Sequence, residues 1–146
     1  MLNIINNTGN PKIDKAISIL SKHYLDQAFL QSFKDITFSC HSPYTSIINT
    51  MNSNHPAIHV NYFTPHWLFS KAIAKYSNNE ILFNRFPIRT SPVCDILETL
   101  FHELCHHWGF VHVSNYQTPY NLDTVPYKLS SLFKSYIISS FPLELL

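Results

Sequence analysis

Apolar positions recur every three or four residues in three stretches of the chain. From Pro11, residues Ile13, Ala16, Ile17, Leu20, Tyr24 and Leu25 follow this spacing, with Lys12, Asp14, Lys15 and Lys22 between them. That is the pattern of an amphipathic helix, and it predicts a first helix over about 11–32. Pro11 suits its opening turn. The second stretch is Val93, Ile96, Leu97, Leu100, Phe101, Leu104, Cys105 and Trp108. Here Ser91 is expected as the N-cap and Pro92 at the first helical position. Asp95 and Glu98 complement the helix dipole in its early turns. In the third stretch Tyr127, Leu129, Leu132, Phe133, Tyr136 and Ile137 keep helical spacing from Pro126 until Pro142 ends the run.

Between the first two helices the pattern changes to strands and turns. Asp35 to Cys40 reads as a short strand, and 41–56, with two prolines and many Ser, Thr and Asn, as mostly connection. Ala57 to Phe63 reads as a second strand. Lys71–Tyr76 and Glu80–Asn84 flank Ser77-Asn78-Asn79, and Asn tolerates the positive φ of a tight turn, so a hairpin is expected. A short helix over 65–76 is the competing reading. Residues 1–10 read as a loose lead-in, Arg85–Thr90 as a loop, and 113–124 as a polar loop. The sum is an α+β chain: an N-terminal helix, a mixed twisted sheet of three to five strands, one long central helix and a C-terminal helix.

At the end of the central helix the residues His102-Glu103-Leu104-Cys105-His106-His107-Trp108-Gly109-Phe110-Val111-His112 spell HExxHxxGxxH. His102 and His106, four apart on a helix, share one face at about 5–6 Å between Cβ atoms. Two imidazoles so placed can meet on one Zn²⁺ at about 2.0–2.1 Å. Glu103 between them can take a proton from water at the metal. Gly109 can leave the helix with positive φ and bring His112 round as a third ligand. Three protein ligands leave a position open, as in a catalytic rather than a structural zinc site. With 9 His and 2 Gly in 146 residues, chance would assemble this pattern on the order of once in 10^5 such chains, which makes it far more specific than HExxH alone.

The stretch resembles the elongated zinc-binding signature of the metzincin metallopeptidases. The resemblance implies one catalytic Zn²⁺ on His102, His106 and His112, Glu103 as general base, and a metzincin-like fold within a single domain over 1–146, with an upper part of about 11–109 and a lower part of about 110–146. That family carries a methionine-containing turn beneath the metal, often with a tyrosine two residues later. Here Met1 and Met51 both precede the motif, so Val125-Pro126-Tyr127 is the nearest counterpart. It would place Val125 under the histidines and Tyr127 within reach of the metal or of the developing oxyanion. An edge strand ahead of the central helix would pair with extended substrate. The implied activity is hydrolysis of a peptide or protein by metal-activated water. Two alternatives stand beside it: a catalytically silent zinc-binding interaction module, and a regulatory peptidase dedicated to one partner.

Composition narrows the remaining classes. A net charge of +1 and no basic run argue against nucleic acid or an anionic membrane as partner. No stretch reaches the ~18 apolar residues of a membrane span, and the N-terminus lacks the charge and apolar core of a signal peptide. Cys40, Cys94 and Cys105 have no paired spacing, which suits reduced thiols, and a cytoplasmic monomer is expected. Cys105 lies on the face shared with Phe101 and Trp108 and is expected to pack as a small apolar residue. Asp95 or Glu98 could orient a ligand histidine, but a solvated helix face that serves the dipole is the expected role. His55, His59 and His66 match no ligand spacing and are expected as ordinary histidines. The wall of the specificity pocket is expected from 113–130.

Overall fold

A computed structural model describes residues 2–39, 42–64, 73–112 and 119–146. Among these the chain is α+β. Strand β1 (Ile4–Asn6) leads into helices α1 (Pro11–His23), α2 (Gln27–Ser32) and α3 (Tyr44–Asn52). Strands β2 (Ile58–Phe63), β3 (Ala74–Ser77) and β4 (Glu80–Asn84) follow, then α4 (Arg85–Ile88), α5 (Val93–His107), α6 (Pro119–Leu122) and α7 (Val125–Ser140), with a closing 3₁₀ turn over Pro142–Leu145.

The sheet is mixed, in the order β1-β2-β4-β3. β1 runs parallel to β2 and β2 parallel to β4, while β3 returns antiparallel along β4. The expected hairpin is present. Asn78 and Asn79 take φ of 50° and 61°, the double left-handed turn that matches the twist of a two-residue hairpin. The lead-in is not loose, however: Ile4 pairs with Ile58 and Asn6 with Val60. A three-residue strand among asparagines has too few positions to show alternation, and its pairing is set by β2.

The first helix is two. Asn10 caps α1 by accepting from the Lys12 amide at 2.9 Å, and Pro11 opens it. It stops at Tyr24 because the Asp26 carboxylate turns back onto His23 Nδ1 at 2.6 Å and accepts from the Tyr136 hydroxyl at 3.0 Å. Residues 35–39 form no strand. Phe38 is buried, and the amide of Ser39 bonds to the Asp123 carbonyl at 3.0 Å instead of to a ladder. The expected connection over 41–56 contains α3. Its Ile47 and Met51 are buried one turn apart, while Thr50, Asn52 and Ser53 return their side chains to carbonyls four residues back. The polar composition is real, but two buried anchors outweigh it. Arg85–Thr90 likewise holds the short α4, capped by Asn84, which accepts from the Phe86 amide at 3.1 Å.

α5 lies in the centre, packed against α1, α7 and the β3–β4 hairpin. Its apolar stripe is buried as expected, with Ile96, Leu97, Leu100, Phe101, Leu104 and Cys105 all inaccessible to solvent. Phe101 meets Phe29, Phe133 and Trp108 at ring-centroid distances of 5.8, 4.7 and 5.8 Å. Each such buried side chain contributes about 1.5–3 kcal/mol, so this aromatic cluster fixes α5, and with it the motif. The start of α5 differs from expectation. Pro92 occupies the N-cap, and the Ser91 hydroxyl donates back to the Pro87 carbonyl at 2.9 Å rather than capping. No helix among the described residues is long and apolar enough to cross a membrane.

Candidate metal centre

The site is built from the last two turns of α5, the chain reversal after it and the first turn of α7. α5 ends in a Schellman turn. The Gly109 amide bonds to the His106 carbonyl and the Phe110 amide to the Cys105 carbonyl, each at 3.0 Å, with Gly109 at φ 91°. This reversal carries His112 back beside the helix. His102, His106 and His112 then converge, with ligating atoms all within 4.8 Å of one another. His102 Nε2 and His112 Nε2 are 3.3 Å apart. Two nitrogens on a tetrahedral Zn²⁺ stand about 3.3–3.4 Å apart, given bonds of about 2.0–2.1 Å. That pair already has the spacing, and no pair needs to close by more than about 1.5 Å to reach it. The three histidines therefore can hold a metal ion. Among the described residues they are the one group of three or more such ligands so arranged.

On His102 and His106 the nitrogen turned away from the centre is fixed by a main-chain carbonyl, whereas His112 Nδ1 is buried without a partner among the described residues. His106 Nδ1 donates to the Phe110 carbonyl at 2.8 Å, a group delivered by the same Schellman turn. His102 donates to the Pro126 carbonyl. Such partners set the tautomer and aim the opposite nitrogen at a metal. Asp95 and Glu98 do not take this role. Each carboxylate binds the Lys134 ammonium on α7 at 2.8 Å. His102 titrates far below the ordinary histidine value, at about 3, because burial and the adjacent His106 and His112 disfavour a proton. His106 is lowered too, chiefly by burial. Neutral imidazole is the ligating form.

Glu103 is 8% exposed. Burial raises its carboxyl to about 7, against the opposing effect of the Tyr76 backbone N–H that it accepts. A cation among the histidines would also oppose the burial effect. Tyr127 packs beside the centre, its ring centroid 4.5 Å from that of His102, edge to face, and 5.0 Å from that of His112, tilted. Its phenol is raised first by burial and then by the neighbouring Glu103. Val125, expected as an apolar base, is fully buried. Cys105 is a buried free thiol in the core, as expected, and its thiol is raised well above the ordinary value by burial. Cys40 lies outside the described residues.

A cleft of about 410 Å³ opens beside the histidines. It is lined by Asp95, Glu98, Thr99, His102 and Glu103 of α5, by Ile73 and Ala74, and by Tyr127 and Ser130 of α7. The pocket wall expected from 113–130 is thus shared with α5 itself, and residues 113–118 lie outside the described residues. His55 and His59 do not gather into a second site. His55 Nε2 bonds to the Thr50 carbonyl at 2.7 Å, and His59 Nδ1 contacts Asn7 at 3.4 Å; His66 lies outside the described residues. Sequence reasoning missed Tyr76, Lys134 and the two orienting carbonyls. Lys134 alone left a signal, as a cation set between Phe133 and Tyr136 in the apolar run of α7. No family model, curated protein or solved structure matches the chain.

Proposed function

We propose that this protein is a zinc-dependent peptidase of metzincin-like architecture. The observation that carries the reading is the convergence of three histidines, two of them oriented by main-chain carbonyls, beside a buried carboxyl that lines a cleft. Zn²⁺ held there by His102, His106 and His112 would supply Lewis acidity, acidifying water and polarising a carbonyl. Glu103 is placed to take the proton from water and pass it to the departing amine. Tyr127 packs against two of the ligands, where its hydroxyl can donate to an oxyanion.

The substrate side also favours a peptide. β3 is the outermost strand of the sheet, and Ile73 and Ala74 at its start line the cleft. An extended chain can add to that edge at Ala74, whose amide faces outward, by main-chain hydrogen bonds. An intact Glu103 counts against a silent zinc module, because binding alone needs no base between the ligands. The test is a proteome-derived peptide library treated with zinc-loaded wild type and Glu103→Gln side by side. Cuts made by wild type and reduced at least ~10²-fold in the variant, with one zinc retained by each, support the reading. Zinc bound by both without any cleavage would sink it in favour of a binding module.

A further inference from the structure

We infer that Tyr76 is the positioning residue for Glu103, locking the sheet edge to the active-site helix at two points; this rests on the peptidase reading above. Glu103 and His107 lie one turn apart on α5 and so face the same way. Tyr76 meets both. Its main-chain N–H, turned outward from β4, faces the Glu103 carboxylate, and its hydroxyl lies 3.2 Å from His107 Nδ1. The two rings pack edge to face at 5.7 Å.

Strand geometry explains why that N–H is free to do this. The Ile73 carbonyl accepts from the Asn84 amide at 2.7 Å, and Ala74 stands opposite Phe83. In an antiparallel ladder the bonded residues alternate. Lys75 and Ser77 therefore bond to β4, whereas Ala74 and Tyr76 turn their amides outward. On an edge strand an outward amide ordinarily meets solvent. Here it meets the buried carboxylate.

The tyrosine is itself held in place. Its hydroxyl accepts from the Asn79 amide at 3.3 Å and contacts Asn79 Oδ1 at 3.2 Å, tying it to the turn whose two asparagines have positive φ. On the far side the His55 ring packs edge to face against His107 at 5.5 Å. The hairpin turn, the strand and the helix are thus joined through one side chain. The carboxylate that must meet the reacting water has its direction fixed by a main-chain donor, which cannot rotate away as a side chain can.

Two measurements test the assignment. The first is amide hydrogen exchange of Tyr76, read residue by residue on the zinc-loaded protein. Exchange should be slow in wild type and at least about tenfold faster in Glu103→Ala, with Lys75 and Ser77 unchanged. Equal Tyr76 exchange in the two proteins would overturn the inference. This arm needs no catalysis, so it stands even if the peptidase reading fails. The second is Tyr76→Phe, which keeps the ring and the N–H and removes only the hydroxyl. It should lower kcat about tenfold, with KM and zinc affinity within about twofold of wild type. Wild-type kcat, or a loss confined to KM or to zinc binding, would show the contact to be merely structural.

Discussion

Gly109 shows how one residue governs the centre. Its φ of 91° lies where a Cβ is disfavoured, yet a Cβ built there meets nothing within 4 Å. The cost of a side chain is therefore one of backbone conformation alone. Gly109→Ala should destabilise the fold by about 1–2 kcal/mol and weaken zinc binding, because the same turn delivers both His112 and the carbonyl that orients His106. Thermal denaturation with and without zinc would show both effects. In the cleft, Asp95 and Glu98 are, among the described residues, the lining carboxylates beside Glu103, and their two charges exceed the single charge of Lys134 that pairs with both. Peptides that place Lys or Arg there should be cut faster than those with Asp or Glu, and Asp95→Asn with Glu98→Gln should erase the difference. A library scan showing the same preference in wild type and variant would refute that expectation. At this scale the three converging histidines were legible because their spacing is tied to residue type. The Tyr76 amide and the Phe110 and Pro126 carbonyls were not, since every residue carries a main chain and only the fold decides which of its groups meet a histidine or a carboxylate.

The elements were legible where periodicity ran long. α5 and α7 lie close to where the apolar stripes put them, and the Asn78-Asn79 turn fixed the hairpin through its preference for positive φ. Short elements failed for want of repeats. β1 gave three residues, α3 was masked by the Ser, Thr and Asn that back-bond to its own carbonyls, and Phe38 entered the core without a ladder. The kink at Tyr24 was hidden because the apolar spacing continues across it while the Asp26–His23 pair, a tertiary contact with Tyr136, ends the helix. The packing of α5 on α7 makes a prediction of its own. Phe101→Ala empties the centre of the aromatic cluster and should cost about 3–5 kcal/mol, measured by denaturant unfolding of the zinc-loaded protein. A loss below ~1 kcal/mol would mean that the cluster collapses to refill the space.

Across the whole molecule, the 3₁₀ turn after α7 returns to α1. Glu144 pairs with Lys22 and with His23 Nε2, the latter at 3.2 Å, and Phe141 stacks on His23 with centroids 4.0 Å apart. The Glu144 carboxyl is held below its ordinary value, chiefly by the Lys22 hydrogen bond. A carboxyl depressed by folding stabilises the fold above its unfolded value and ceases to do so as pH falls through the folded one. Thermal stability should therefore decline on acidification below about pH 4.5, modestly because the pair is partly exposed. Glu144→Gln should flatten that part of the profile; an identical acid limb in the variant would assign the decline to other carboxylates.

The order in which the chain is made gives the Pro126 contact a further meaning. The three histidines and Glu103 all precede the groups that finish their setting. The carbonyl that aims His102, the Tyr127 ring and the Phe133 that seats α5 belong to residues 126–133. A chain still emerging from the ribosome thus carries every ligand before it carries the frame that aligns them. On the proposed peptidase reading, that sequence of events would postpone activity until synthesis has passed the last helix, and so would shield the nascent chain and its surroundings from premature cleavage.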